Sequence, residues 1–168
     1  MPNLTSSEAF RIIAYRLEGA GNLIKDSGGL TKWGISKRAF PDEDIAAMTF
    51  ERAYELFMEH YWKLVQADYL PAPLNLLVAD SAFNQGPAVA ATILQRALKT
   101  VAVDGKIGKQ TLNAVNHMPP AEVCALFMSQ RHRYYIGTRG FDRSGTGWFN
   151  RLGRLMMELT AWKMLGEE

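Results

Sequence analysis

Apolar residues recur at helical spacing along most of the chain, and strand-like alternation is almost absent. Thr5-Ser-Ser-Glu8 has the form of a capping box, with Thr5 as N-cap and Glu8 reaching back. Phe10, Ile13, Ala14 and Leu17 then share one face, and Gly19 supplies the stop. Residues 22–36 carry no helical period; "DSGG" reads as a turn and "LTKWGIS" as a short strand or hairpin arm. Pro41-Asp-Glu-Asp predicts the start of a short helix, and Thr49 caps a longer one whose inner face is Ala53, Leu56, Phe57, His60, Tyr61 and Leu64. "LPAPL" breaks the chain before a helix carried by Leu74, Leu77, Val78 and Ser81 to Gly86.

Pro87 fits the first turn of the next helix, with Val89, Ile93, Leu94, Ala97 and Leu98 inward. "VDGKIG" is a tight turn in which Asp104 and Gly105 make the bend. Thr111, Leu112 and Val115 mark a short helix ended before Pro119-Pro120, and Val123, Cys124, Phe127 and Tyr134 a long one. "GTRGFDRSGTG" reads as a second glycine-rich loop before a last helix with Leu152, Leu155, Met156, Leu159 and Trp162. The pattern predicts an all-α fold of seven or eight helices, with a small β-hairpin near residues 28–36. The only soft seam is Gly86-Pro87, which is too short for a flexible linker. Two lobes, 1–87 and 88–168, are expected to pack as one globule.

Composition narrows the class. At 168 residues, 48% hydrophobic and 21% charged, the sequence has an ordinary globular make-up. No run of about 18 apolar residues predicts a membrane span. The first 19 residues are too charged and too periodic for a signal peptide. A net charge of +2 gives no case for nucleic acid. Arg131, Arg133, Arg139, Arg143, Arg151 and Arg154 do cluster late, either as a solvated face or as an attraction to a polyanionic surface. Cys124 is the only cysteine and lies on a helical apolar face, where a buried inert thiol is expected. The three histidines have no metal-ligand spacing.

The candidate chemistry begins at Glu18. An acid is the wrong charge for the negative end of a helix. That placement, with burial in a cleft, pushes a carboxyl toward its neutral form, as a general acid for glycosidic cleavage requires. Asp26 lies across a glycine-rich loop, and the Thr31 hydroxyl is placed to orient a water. The residues alone leave alternatives open. Glu18 is also a common kind of surface acid, Asp26 a turn residue and Thr31 a strand residue. Trp33, Tyr61 and Trp62 either stack on sugar rings or pack in the core, with Trp62 the more readily a core residue. Asp80 and Asn84 fall four apart on one helix face, and Asn84-Gln85 either caps that helix or reaches a cleft to bond acetamido and hydroxyl groups. Asp80, on an otherwise apolar face, has either a buried partner or a cleft position. Trp148 and Arg151 line the far side of the groove, or serve as core packing and a surface charge.

Glu18-Gly19, followed by Asp26-x-Gly28-Gly29-x-Thr31-x-x-Gly34-Ile35, resembles the N-terminal motif of glycoside hydrolase family 108. "FMEHYWK" (57–63) and "VADSAFNQGP" (78–87) resemble further family segments. "LQRAL...VDGKIGKQTLNAV" (94–115) and "GWFNRLGRL" (147–155) are similar to the predicted peptidoglycan domain that follows it. Ala20 stands where the family's second glycine is expected, and Asn22 or Leu23 where its Tyr should be.

The resemblance implies a lysozyme-like fold and a muramidase of phage or secretion-associated type, acting on peptidoglycan glycan strands without a cofactor. Glu18 would be general acid, with Asp26 and Thr31 placing water or steadying the oxocarbenium ion. A carboxyl separation of about 5 Å would favour retention and about 6.5–9.5 Å inversion. Synthesis in the cytoplasm without a signal peptide would call for a separate holin or secretion pore before the chain acts on the wall.

Overall fold

A computed structural model describes residues 4–26 and 29–165, with Asp26 and residues 162–165 described in backbone only. Gly28 and the side chains of Asp26 and Trp162 therefore lie outside the described residues. Among the described residues there are seven α-helices and one small antiparallel sheet.

α1 (Ser6–Arg11) opens on the expected capping box. Glu8 N–H donates to the Thr5 hydroxyl at 3.3 Å, and Thr5 N–H donates to the Glu8 carboxylate at 2.8 Å. The helix then widens into a π turn over Ile12–Leu17, closed by Glu18 N–H donating to Ile13 O at 3.0 Å. Another π turn, Met58–Trp62, ends α2 (Phe50–Phe57), with Lys63 N–H donating to Met58 O at 3.1 Å. A π turn takes up an extra residue, so the apolar phase slips. Through this one Trp62 is enclosed, whereas His60 and Leu64, expected inward, are exposed. Trp62 donates its indole N–H to Asp68 at 2.7 Å.

The sheet runs in the order β1 (Ile24–Asp26), β2 (Gly29–Lys32), β3 (Ile35–Ser36). Thr31 sits opposite Ile24 on one side and Ser36 on the other. β2 and β3 are joined by Trp33-Gly34, both with positive φ (55° and 79°), the pattern of a type I′ turn. The short helix expected from Pro41 does not form. Residues 41–47 make turns and bends, because other groups claim the backbone. Lys37 donates to Glu43 O, Lys32 to Ala46 O, and the Asp44 carboxylate accepts from Ala47 N–H.

α3 (Leu74–Gln85) is the central helix, buried at every position from Leu74 to Ala82. An element apolar all round belongs inside a core, and this one packs on α4 (Pro87–Leu98) and α6 (Pro120–Ile136). Pro87 occupies the first turn of α4, as its fixed φ and missing N–H allow. α5 (Lys109–Asn116) is tied to α4 by buried Gln95. Its amide donates to Asp104, Lys106 O and Thr111 and accepts from the N–H groups of Asp104 and Gly105. That bonding makes "VDGKIG" a stapled turn.

α7 (Phe141–Leu165) begins earlier than its glycines suggest, absorbing most of the second glycine-rich segment. The ring of Phe141 lies so close to Gly145 that a Cβ there would fall 2.6 Å from it. Packing thus offsets a helix penalty of about 1 kcal/mol per glycine. No helix among the described residues is long and apolar enough to cross a membrane.

Candidate active site

Glu18 ends the first π turn, and the chain then turns sharply: Gly19, Ala20 and Gly21 all have positive φ (83°, 56° and 75°). Three consecutive left-handed residues reverse the backbone, and Ala20 does so despite its Cβ. The stem of Glu18 lies against the β2–β3 turn. A Cβ on Gly34 would fall 2.8 Å from Glu18 Cγ and 2.4 Å from the Phe83 ring, so this position has room only for glycine. Tyr61 is half-buried, edge-on to Phe83 at 4.9 Å. Burial, and next the nearby Glu18 charge, push its phenol above the ordinary value. Glu18, Gly34, Tyr61 and Phe83 thus form one group.

Behind Glu18 lies a charge network. The carboxylate accepts a hydrogen bond from Arg151 Nη1 of α7. Arg151 also donates to Asp80 Oδ1 from Nε at 3.1 Å and from Nη2 at 2.7 Å. The far oxygen of Asp80 lies 2.7 Å from Arg131 Nη1, a close ion pair out of line for a hydrogen bond. Arg131 donates in turn to Gln85 Oε1 at 2.9 Å and to the Tyr135 hydroxyl at 3.2 Å. Tyr135 donates to Asn84 Oδ1 at 2.6 Å. Burial opposes ionisation of Asp80, but the two guanidiniums outweigh it and hold its carboxyl below the usual range. Burial also disfavours the Arg151 cation, but the charges of Asp80 and Glu18 prevail and raise its pKa.

This placement corrects several expectations. Asp80 is wholly enclosed, with both oxygens taken by arginines, so it does not touch a substrate; it reaches the site through Arg151. Arg151 is a buried group rather than a surface charge. The late basic cluster divides: Arg131 and Arg151 are interior, whereas Arg133 and Arg139 join Arg96 in lining an open cleft of about 450 Å³. Trp148 is half-buried and stacks on Tyr135 at 5.0 Å; Tyr135 in turn bonds exposed Asn84, while half-buried Gln85 is held by Arg131. Trp33 is half-buried, edge-on to Tyr15 and Phe50, and covers Gly21. Thr31 is half-buried on β2, and among the described residues the Glu18 carboxylate bonds to Arg151 and not to Thr31. The backbone of Asp26 pairs with Gly29, while its side chain lies outside the described residues.

Tyr135 and Phe83 escape the sequence reading, and Arg131 enters it only as one of the late basic cluster. A signal for the last is present. Arg131 interrupts the apolar stripe Val123-Phe127-Tyr135 of α6 as Asp80 interrupts that of α3, and two opposite charges on buried faces imply each other.

Residues 13–86 match the model of the Glycosyl hydrolase 108 family, and residues 89–153 that of the Predicted Peptidoglycan domain. The solved structure of Brucella abortus SagA is similar, with a TM-score of 0.80 and 28% identity over 94% of this chain and 96% of that one. No curated protein matches. The two matched segments meet just after α3 and take up most of the sequence between them. Segment 13–86 is thus of the Glycosyl hydrolase 108 family and segment 89–153 of the Predicted Peptidoglycan domain, an order that supports a glycoside hydrolase with peptidoglycan as its partner.

Proposed function

We propose that the protein hydrolyses the β-1,4 bond between N-acetylmuramic acid and N-acetylglucosamine in peptidoglycan, with Glu18 as general acid. The reading is carried by the Glu18 side chain, 22% exposed at a helix end and flanked by Tyr61. Glu18 gives its proton to the bridging oxygen as the C1–O bond breaks. Water then adds at C1, and the proton it loses is passed to the Glu18 carboxylate, so the enzyme ends as it began. Asp26 and Thr31 place that water or steady the oxocarbenium ion. Tyr61 and Trp33 offer aromatic edges to the sugars. Asn84, Gln85 and Trp148 contribute hydrogen bonds and contact further along the groove. The substrate lies outside the inner membrane, and the chain reaches it through a separate holin or secretion pore.

The test is clearance of purified cell walls. Wild type lowers the turbidity and releases muropeptides with ordinary reducing ends. Glu18→Gln loses at least about 10²-fold in rate while still binding walls. Anhydro-muramic ends in the digest would instead assign a lytic transglycosylase. Wall binding without clearance by wild type would make the protein a binding module.

A further inference from the structure

The segment matched to the hydrolase family supplies Glu18, but the group that aims its carboxylate comes from the other half. Arg151 lies within the stretch matched to the predicted peptidoglycan domain, 133 residues from Glu18. Its guanidinium is planar, and two of its donors, Nε and Nη2, are fixed on Asp80 Oδ1. Fixing two donors of a rigid fork sets the direction of the third, Nη1, which points at Glu18. Asp80 is itself immobilised: fully enclosed on the central helix and paired on its other side with Arg131, which Gln85 and Tyr135 hold. In front, no side chain among the described residues donates a hydrogen bond to the Glu18 carboxylate. Its described neighbours there are the Gly34 backbone, against which its Cγ lies, and the Tyr61 ring, and the chain beyond it is a run of left-handed residues. A glutamate side chain left to itself samples many rotamers.

We propose that Arg151 is the positioning residue of the active site, aimed by Asp80, and that the C-terminal half is therefore part of the catalytic apparatus as well as a wall-directed module. This rests on Glu18 acting as general acid. Arg151 touches neither substrate nor reacting atoms; it acts by confining the carboxylate that does. A near-attack placement is sensitive to shifts of about 1 Å, each worth up to ~10²-fold in rate.

The experiment compares wild type, Arg151→Ala, Arg151→Lys, Asp80→Asn and Glu18→Gln on a soluble glycan oligomer, with melting curves to fix the folded fraction. Arg151→Ala is expected to lose about 10²-fold in kcat with KM within about twofold, since confinement and not binding is removed. Added guanidinium ion at millimolar concentration restores part of that kcat and leaves wild type unchanged. Arg151→Lys keeps the charge but not the fork, and stays nearer to Ala than to wild type. Asp80→Asn lowers kcat in the same sense with Arg151 still present.

A purely structural arginine gives the opposite result: a lower melting temperature, wild-type kcat per folded molecule and no guanidinium rescue. That result overturns the proposal. If Arg151→Ala does not fold, wild-type kcat in Arg151→Lys overturns it equally. A crystal structure of Arg151→Lys with Glu18 in an unchanged single rotamer does so whatever the activity. Wild-type turnover in Glu18→Gln sinks the general-acid reading, whereas an inactive Glu18→Gln beside a fully active Arg151→Ala sinks the positioning role alone.

Discussion

The two sides of Glu18 are built by different physics. In front, the stretch from Gly19 to Ser36 is local: left-handed backbone, a tight hairpin turn and a glycine where no Cβ fits. Behind, Asp80, Arg131 and Arg151 come from α3, α6 and α7 and meet only when the whole core has closed. The front shapes by sterics and the back by charge and planarity. Errors in front should therefore stay local. Errors behind should spread, because each buried charge there depends on the others.

The largest effect expected from breaking this contrast is on the back. Asp80→Ala leaves the interior Arg131 guanidinium without a carboxylate and Arg151 with Glu18 alone, and should cost about 3–5 kcal/mol of stability by denaturant titration. A loss under about 1 kcal/mol would mean that water screens the network. On the front, Gly34→Ala must place a Cβ against Phe83 and Glu18 at φ 79°, at a cost of about 2–3 kcal/mol. Its mark should be a displaced Glu18, seen as activity lost beyond what the melting temperature explains. Thr5→Ala touches neither side. Losing its capping bonds should cost about 1 kcal/mol and leave turnover per folded molecule unchanged, which separates stability from positioning.

Acid should reach the back last. Asp80's carboxyl is lowered by its arginines against the pull of burial. The stability it lends is therefore fully present above the unfolded value of about 3.9, and is lost as pH falls through the lower folded value. Melting curves in a pH series should show a loss below about pH 4 that is absent in Asp80→Asn. The smallest effect is at Cys124, whose thiol burial raises to about 11. It should label slowly at neutral pH until the protein unfolds.

Legibility in the sequence follows the same division. The caps at Thr5 and Thr49, the first-turn Pro87, the stop at Gly19 and the hairpin near residue 30 are local signals, and the structure contains each of them. The π turns were not legible, because a 3.6-residue template assumes a constant phase. Hence His60 and Leu64, assigned inward, lie exposed, while Trp62 is in the core as its aromatic bulk suggests. The early start of α7 depends on Phe141 packing over Gly145, a contact that glycine composition conceals. Glu18 stood out because its charge is wrong for a helix end. Its partner Arg151 was legible only as a groove-lining residue or a surface charge, because nothing local in the sequence points to its distant carboxylates.

The Glu18–Arg151 contact also orders events in time. On the ribosome, a growing chain that already carries Glu18 lacks its guanidinium until 133 further residues have been added. The hairpin and the left-handed turn can form early, but the carboxylate has no fixed aim until α7 emerges. For most of its synthesis the nascent protein holds its acid without the means to direct it.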